Sequence, residues 1–257
     1  MESVDVKLRL SMIKPLTIFI FLISLITFGQ TKMRNVEELI TKEDPAWPHV
    51  NEWINAAKNK VEILPADKKS AEDALYKIQI TTRSPMGAIV YMTGGLLIDY
   101  GWVRILGSGS EKLNRSFPIW NKGKAFDDYG QNSQFLLIAD DVIGGFFLLN
   151  GGGLGDDLGK VYYFSPDNLE FEPLNLTYTE FLNFCFNSNL EEFYKDYRWE
   201  NWKDDVAKLK GDQVFNFFPY LWTKEGKDID EISRKAIQAY EQYNLNLDFR
   251  KQLRLTK

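Results

Sequence analysis

The spacing of apolar residues changes twice along this chain, dividing it into helical, sheet and again helical territory. Val50, Trp53, Ile54 and Ala57 fall at i, i+3, i+4 and i+7, which sets them on one stripe of a helix starting near Ala46. After the apolar run at 61–64 and the break at Pro65, that spacing returns in Ala71, Ala74, Leu75 and Ile78, with Asp67 or Ser70 as N-cap. The runs then shorten. Residues 88–91, 96–99 and 102–106 are β-prone and separated by Gly94-Gly95 and Gly101, the punctuation of an antiparallel meander. Residues 135–139, 145–149 and 161–164 extend it, with Asp140-Asp141 and Gly151-Gly152-Gly153 read as turns, so that sheet dominates from about 86 to 172.

Helical spacing resumes in Tyr178, Phe181, Leu182 and Cys185, headed by Thr177 with Glu180 three residues on, the reciprocal pattern of a capping box. Ser188 and Glu191 repeat the device ahead of Leu190, Phe193, Tyr194 and Tyr197; Trp202, Val206 and Leu209 form a further stripe. Helices, then sheet, then helices predicts an α+β fold, a mainly antiparallel twisted sheet with N-terminal and C-terminal helices packed on it. No linker-like stretch interrupts residues 33–257, so one domain is expected there, ending in a charged peripheral helix from about Asp228.

Residues 16–28 are a short apolar run behind Lys14 and ahead of Gly29-Gln30. At 13 residues the run falls short of the roughly 20 needed to span a bilayer. It reads as a signal peptide covering 1–29, cleaved after Gly29, with no permanent anchor left behind. An uncleaved anchor is the alternative; translation from Met33 would omit the leader and leave a cytoplasmic protein.

The net charge of −5 is more negative still without the leader, since residues 1–32 contribute +2 and leave −7. An acidic body without a cluster of Lys and Arg among aromatics excludes nucleic acid as the expected partner. Cys185 is the only cysteine and His49 the only histidine, so no intrachain disulfide forms and a structural zinc site lacks its usual ligands. His49, at the opening of the first long helix, has no Gly-x-Ser-x-Gly nucleophile to serve, and Cys185 sits on an apolar stripe as a core residue. No catalytic residue, metal ligand or cofactor is assigned. The stretch from Asn150 to Gly159 is rich in glycine and carries Asp156 and Asp157, but Gly159-Lys160 leads into a strand, unlike a phosphate loop opening a helix. Asp140, Asp141, Asn150, Asp156 and Asp157 are the candidate binding residues. If these carboxylates converged in one cleft, hydrolysis of a carbohydrate or phosphoester would be open to them, although neighbouring acids in a strand point to opposite faces.

In Met33-Arg-Asn-Val-Glu-Glu-Leu-Ile, Asp44-Pro-Ala-Trp-Pro, Thr82-Arg-Ser-Pro-Met-Gly-Ala, Gly101-Trp-Val-Arg-Ile-Leu-Gly-Ser-Gly and Gly144-Gly-Phe-Phe-Leu-Leu-Asn-Gly-Gly, the chain resembles a bacterial family known as domain of unknown function 2625. That likeness runs from Met33 to about Glu225 and carries no activity with it. The acidic Gly-rich turn, the aromatic strand at 161–164 and Thr179-Glu180-Phe181-Leu182 are similar to the Smi1/Knr4-like, or SUKH, superfamily. That second resemblance implies an immunity or scaffold protein that binds other proteins without catalysis. The combined expectation is an exported, periplasmic or secreted, non-enzymatic protein-binding domain that uses its sheet and acidic loop; the alternative is a hydrolase using the clustered Asp residues.

Overall fold

The structure is a computed structural model that describes residues 33–255; the leader expected at 1–29 lies outside the described residues. Short helix α1 (Val36–Leu39) leads to α2 (Trp47–Asn55), which buries Val50 and Ile54 on the stripe read from its spacing. Strand β1 (Val61–Leu64) precedes α3 (Lys68–Ile78), where Asp67 caps the helix by accepting from the Ser70 N–H. Helix α4 (Pro85–Met92) follows, then β2 (Gly95–Ile98), β3 (Val103–Leu106), α5 (Phe117–Asn121), β4 (Phe135–Asp141), β5 (Phe146–Asn150), β6 (Lys160–Phe164) and β7 (Phe171–Thr177). Helices α6 (Tyr178–Asn187), α7 (Leu190–Phe193) and α8 (Trp202–Val206) lead to β8 (Gln213–Phe218), β9 (Ser233–Gln238) and α9 (Ala239–Gln252).

The first seven strands form one antiparallel sheet in sequence order, and β8 pairs with β9 separately. This is the α+β meander that the alternation of short apolar runs and glycines predicts. Four local expectations change. Residues 88–91 are helical, because α4 is buried around most of its circumference and so shows no polar face from which to read a helical period. Its start is fixed by Ser84, whose hydroxyl accepts from the Gly87 N–H at 3.0 Å, and by Pro85 in the first turn. Asp140 and Asp141 end strand β4 rather than forming a turn, and the chain reverses just after them. Asn189, not Ser188, caps α7, accepting from the Glu192 N–H at 3.1 Å. The stretch read as a loose helix from Asp228 divides into β9 and α9, and α9 buries Ala239, Gln242, Tyr243 and Asn246.

Register places one row of side chains across all seven strands: Glu62, Leu97, Arg104, Asp140, Phe146, Phe164 and Phe171. It runs from charged residues on β1, β3 and β4, with Leu97 on β2 among them, to aromatic ones on β5–β7. The aromatic half is covered, with Phe146 packing under Trp120 of α5 at 6.2 Å and against Tyr243 of α9 at 5.1 Å. On the opposite face Phe147 meets Tyr163 and, from α6, Phe181, each at 4.8 Å between ring centroids. One connected cluster of buried side chains extends from Val50 to Tyr243. Among the described residues no helix is long and apolar enough to cross a membrane.

Phe147 is fully buried between the sheet and α6. Phe147→Ala is expected to cost about 3–5 kcal/mol, the usual range for emptying a core aromatic site. Urea denaturation at neutral pH measures it as a lowered midpoint with an unchanged slope.

Candidate functional site

The paired acids at the end of β4 belong to two separate networks. On one face of the sheet, the Arg104 Nε donates to Asp140 Oδ1 at 2.6 Å and Arg115 Nη1 donates to Oδ2 at 2.5 Å. The two guanidiniums also brace the start of β8 and the segment leading into it: Arg104 Nη1 donates to the Gln213 carbonyl and Arg115 Nε to that of Gly211. Asp140 is fully buried, so its charge is met entirely by these arginines. On the other face Asp141 has no cationic partner within ion-pair distance among the described residues. Its Oδ1 accepts from the N–H groups of Ile143 and Gly145, and its Oδ2 from the hydroxyls of Tyr163 at 2.6 Å and Tyr194 at 3.1 Å. Glycine at 145 permits this approach, since a Cβ there would stand 2.1 Å from the Tyr163 hydroxyl.

The acidic Gly-rich loop lies at the other end of β5, four residues from the Asp140 partner Phe146, hence about 13 Å along the strand. Within it Asn150 acts as an internal brace, its Oδ1 accepting from Gly152 and Leu154 and its Nδ2 donating to the Gly155 carbonyl and Asp157 Oδ1. Tyr162 donates to the same Asp157 oxygen at 2.7 Å; this bond holds the Asp157 pKa below its ordinary value and pushes that of Tyr162 up to about 12. The N–H groups of Gly151 and Gly153 donate to the Gln134 carbonyl, so the loop presents no free cradle for phosphate. Asp156 and Leu158, the latter 69% exposed, face solvent. The five sequence-predicted residues therefore do not converge on one site: Asp140 and Asp141 are buried in separate networks, Asn150 and Asp157 bond to each other within the loop, and Asp156 stands alone at its surface.

The His49 side chain is 63% exposed with Glu52 3.9 Å from its Nδ1, and Cys185 is buried, with its thiol pKa raised by burial. Among the described residues no three His, Cys, Asp or Glu side chains gather as metal ligands.

A cleft of about 250 Å3 lies instead on the charged half of the cross-sheet row, between β1–β3 and the segment 203–211. Leu97, Val142, Val206 and Leu209 give it apolar walls; Lys60, Arg104, Lys112, Lys203 and Lys210 surround these with positive charge. Lys60 and Lys203 each hold their ammonium over the Tyr100 ring, at 4.4 and 4.5 Å from its centroid. Lys112 is paired with Glu62, 2.7 Å from both carboxylate oxygens. Lys60, Lys203 and Lys210 make no ion pair among the described residues. Arg104 lies in the wall with its side chain 4% exposed; its Nη2 is 2.6 Å from Asp140 Oδ1 but is not aligned as a donor to it, and has no other acceptor. Burial lowers the Arg104 pKa and the Asp140 carboxylate opposes that shift. A shallower depression at Asp67, Ser70, Asp73 and Ser108 has no such convergence, and Asp67 is already occupied as a helix cap.

The cleft leaves no local pattern in the sequence because its lysines come from three separate segments. One signal was present: Arg104 interrupts the strand Val103-Arg-Ile-Leu106, and a charge inside an apolar strand marks a buried pairing or a site.

The profile of a family described as "Protein of unknown function DUF2625" matches residues 36–242. The chain belongs to that family. It is 47% identical over 214 residues to an uncharacterized protein of Haemophilus influenzae, an alignment covering 83% of this chain and 94% of that one. It is 44% identical over 213 residues to the putative uncharacterized protein YbfG of Escherichia coli K12, covering 83% and 95%. No solved structure matches the chain.

Burial raises the Asp141 pKa to about 6, against 3.8 for the free group. Below pH 4 the carboxyl is protonated whether the chain is folded or not. Between about 4 and 6 the folded chain retains a proton the unfolded chain has released, so stability falls as pH rises through this interval and levels off above it. Asp141→Asn is expected to remove that slope, worth roughly 3 kcal/mol; urea midpoints measured from pH 4 to 7 test it, and a slope unchanged in the variant refutes the assignment.

Proposed function

We propose that this chain is a single-domain, non-enzymatic binding protein and that the cleft beside β1–β3 takes a small anionic ligand. The observation that carries this reading is the convergence of Lys60, Lys203, Lys210 and the Arg104 guanidinium on one apolar-walled cavity in a chain of net charge −5. A concave site with apolar walls and a few polar groups of one sign suits recognition of an organic anion. The cavity is smaller than drug-sized sites of about 300–1,000 Å3. Hydrolysis by clustered acids is the weaker reading, since Asp140 and Asp141 are consumed by internal bonds and face away from each other.

A protein partner at the Asn150–Gly159 loop is the second reading. It is favoured by the exposed Leu158 beside Asp156 on a loop already braced from within, and by the residue likeness to SUKH-type binding proteins. A braced loop loses little entropy on docking, and its acidic residue favours a basic partner.

Citrate titrated calorimetrically into the purified protein is expected to bind, and replacing both Lys60 and Lys203 by Ala to weaken it about tenfold or more while the melting temperature holds. Failure of both citrate and adipate to bind at millimolar concentration overturns the cleft reading. We also propose export, to the periplasm or beyond the cell, on the strength of the n-region, apolar run and small residues at 14–29. Mass spectrometry of the mature chain should find Gln30 first; a chain beginning at Met1 or Met33 rules that out.

A further inference from the structure

Two ends can be distinguished within the cleft. Lys60 lies just ahead of β1 and continues its ladder, accepting at its carbonyl from the Asp99 N–H at 2.8 Å. Tyr100 and Gly101 follow in the β2–β3 turn, and Lys203 opens the covering helix α8; these residues form one cationic end around the Tyr100 ring. The other end lies at the level of the Glu62–Leu97–Arg104 row. There Lys112 is neutralised by Glu62 and the buried Arg104 by Asp140, while Lys210 remains to take an anion. Lys60 and Glu62 are two strand positions apart, so the backbone at the two ends stands about 7 Å apart along β1. Between them the lining is apolar: Leu97, Val206 and Leu209. No hydrogen-bonding side chain of Ser, Thr, Asn or Gln lines this stretch.

Resting on the anion-binding reading, we propose that the ligand is a short, linear molecule with an anionic group at each end and an unsubstituted apolar middle, a dicarboxylate-type dianion about as long as adipate. A compact anion engages only one end. A monoanion of the same length leaves the other end unpaired. A sugar-like middle would place hydroxyls against Leu97, Val206 and Leu209 without partners, which costs binding energy for each group desolvated.

The test is a calorimetric series on the purified protein at fixed ionic strength, with succinate, adipate, suberate and hexanoate as the ligands. Adipate is expected to bind roughly tenfold tighter than hexanoate, the increment of one partly buried ion pair, and tighter than succinate or suberate. Lys203→Ala and Lys210→Ala, one at each end, should each bring adipate close to the affinity of hexanoate. Both lysines are exposed, so an unchanged melting temperature shows that the variants keep their fold. Equal affinity for adipate and hexanoate, or loss from only one of the two substitutions, overturns the two-ended ligand while leaving an anion site in place. Absence of binding by every acid in the series, together with failure of citrate, removes the site itself.

Discussion

The carboxylate of Asp140, gripped by Arg104 and Arg115, is the interaction on which the charged half of the molecule depends. A single buried anion here joins four pieces of chain: β4 through its own backbone, β3 through Arg104, the segment after β3 through Arg115, and the run entering β8 through the carbonyls of Gly211 and Gln213. Charge-assisted bonds of this length are among the stronger ones available to a fold. Two guanidiniums around one carboxylate leave a net positive charge inside, an arrangement that is costly to desolvate and is sustained by the carbonyls that share the donors. The surplus charge is what Arg104 brings to the wall of the cleft.

The second wall depends on a different set of contacts. Helix α8 has only five residues and cannot hold itself in place. It is pinned by Trp202, whose ring meets Trp102 edge-on at 4.9 Å, and by the Arg198 guanidinium, 4.3 Å from the Trp202 ring and 4.9 Å from that of Trp102. Arg198 is tied in turn to Asp99 beside the β2–β3 turn. Tyr194 packs on Trp102 and donates to Asp141, so the Asp141 network reaches the cleft through the aromatic cluster while Asp140 reaches it through the sheet. Two adjacent acids, facing opposite ways along one strand, thus secure opposite walls of one cavity.

The meander was legible because its strands are short apolar runs set off by glycines, and the capping box at Thr177 was legible because both partners are local in sequence. Helix α4 was not, since a helix with Met86, Gly87, Ala88, Ile89 and Val90 all buried has the same pattern as a buried strand. Strands β8 and β9 escaped for another reason: 14 residues separate their paired ends, Phe218 and Ser233, and exposed Ser233 and Lys235 leave β9 with little apolar signal. Candidate acids were visible as residues but not as roles. Asp140 and Asp141 looked like surface binding groups because charge is usually outside; only the register with Arg104 and the approach permitted by Gly145 show them to be internal. The lysines of the cleft, contributed from positions 60, 112, 203 and 210, share no local pattern at all.

The cross-sheet row explains why the cavity ends where it does. From β5 onward the row is Phe146, Phe164 and Phe171, and rings from α5 and α9 close over it, so that half of the face has no room for a ligand. From β1 to β3 the row is Glu62, Leu97 and Arg104, and a Phe-like cover would take the half-exposed Glu62–Lys112 pair out of water. The short α8 segment covers that half only partly, leaving Lys60, Lys203 and Lys210 in contact with water while their stems and Tyr100 flank the apolar floor. At physiological salt a charge is felt over about 8 Å. Inside the cleft the lysines therefore outweigh the acidic remainder of the chain, and an extended polyanion reaching beyond it meets repulsion. On the proposed reading, selection for a small anion follows from that contrast between local and net charge.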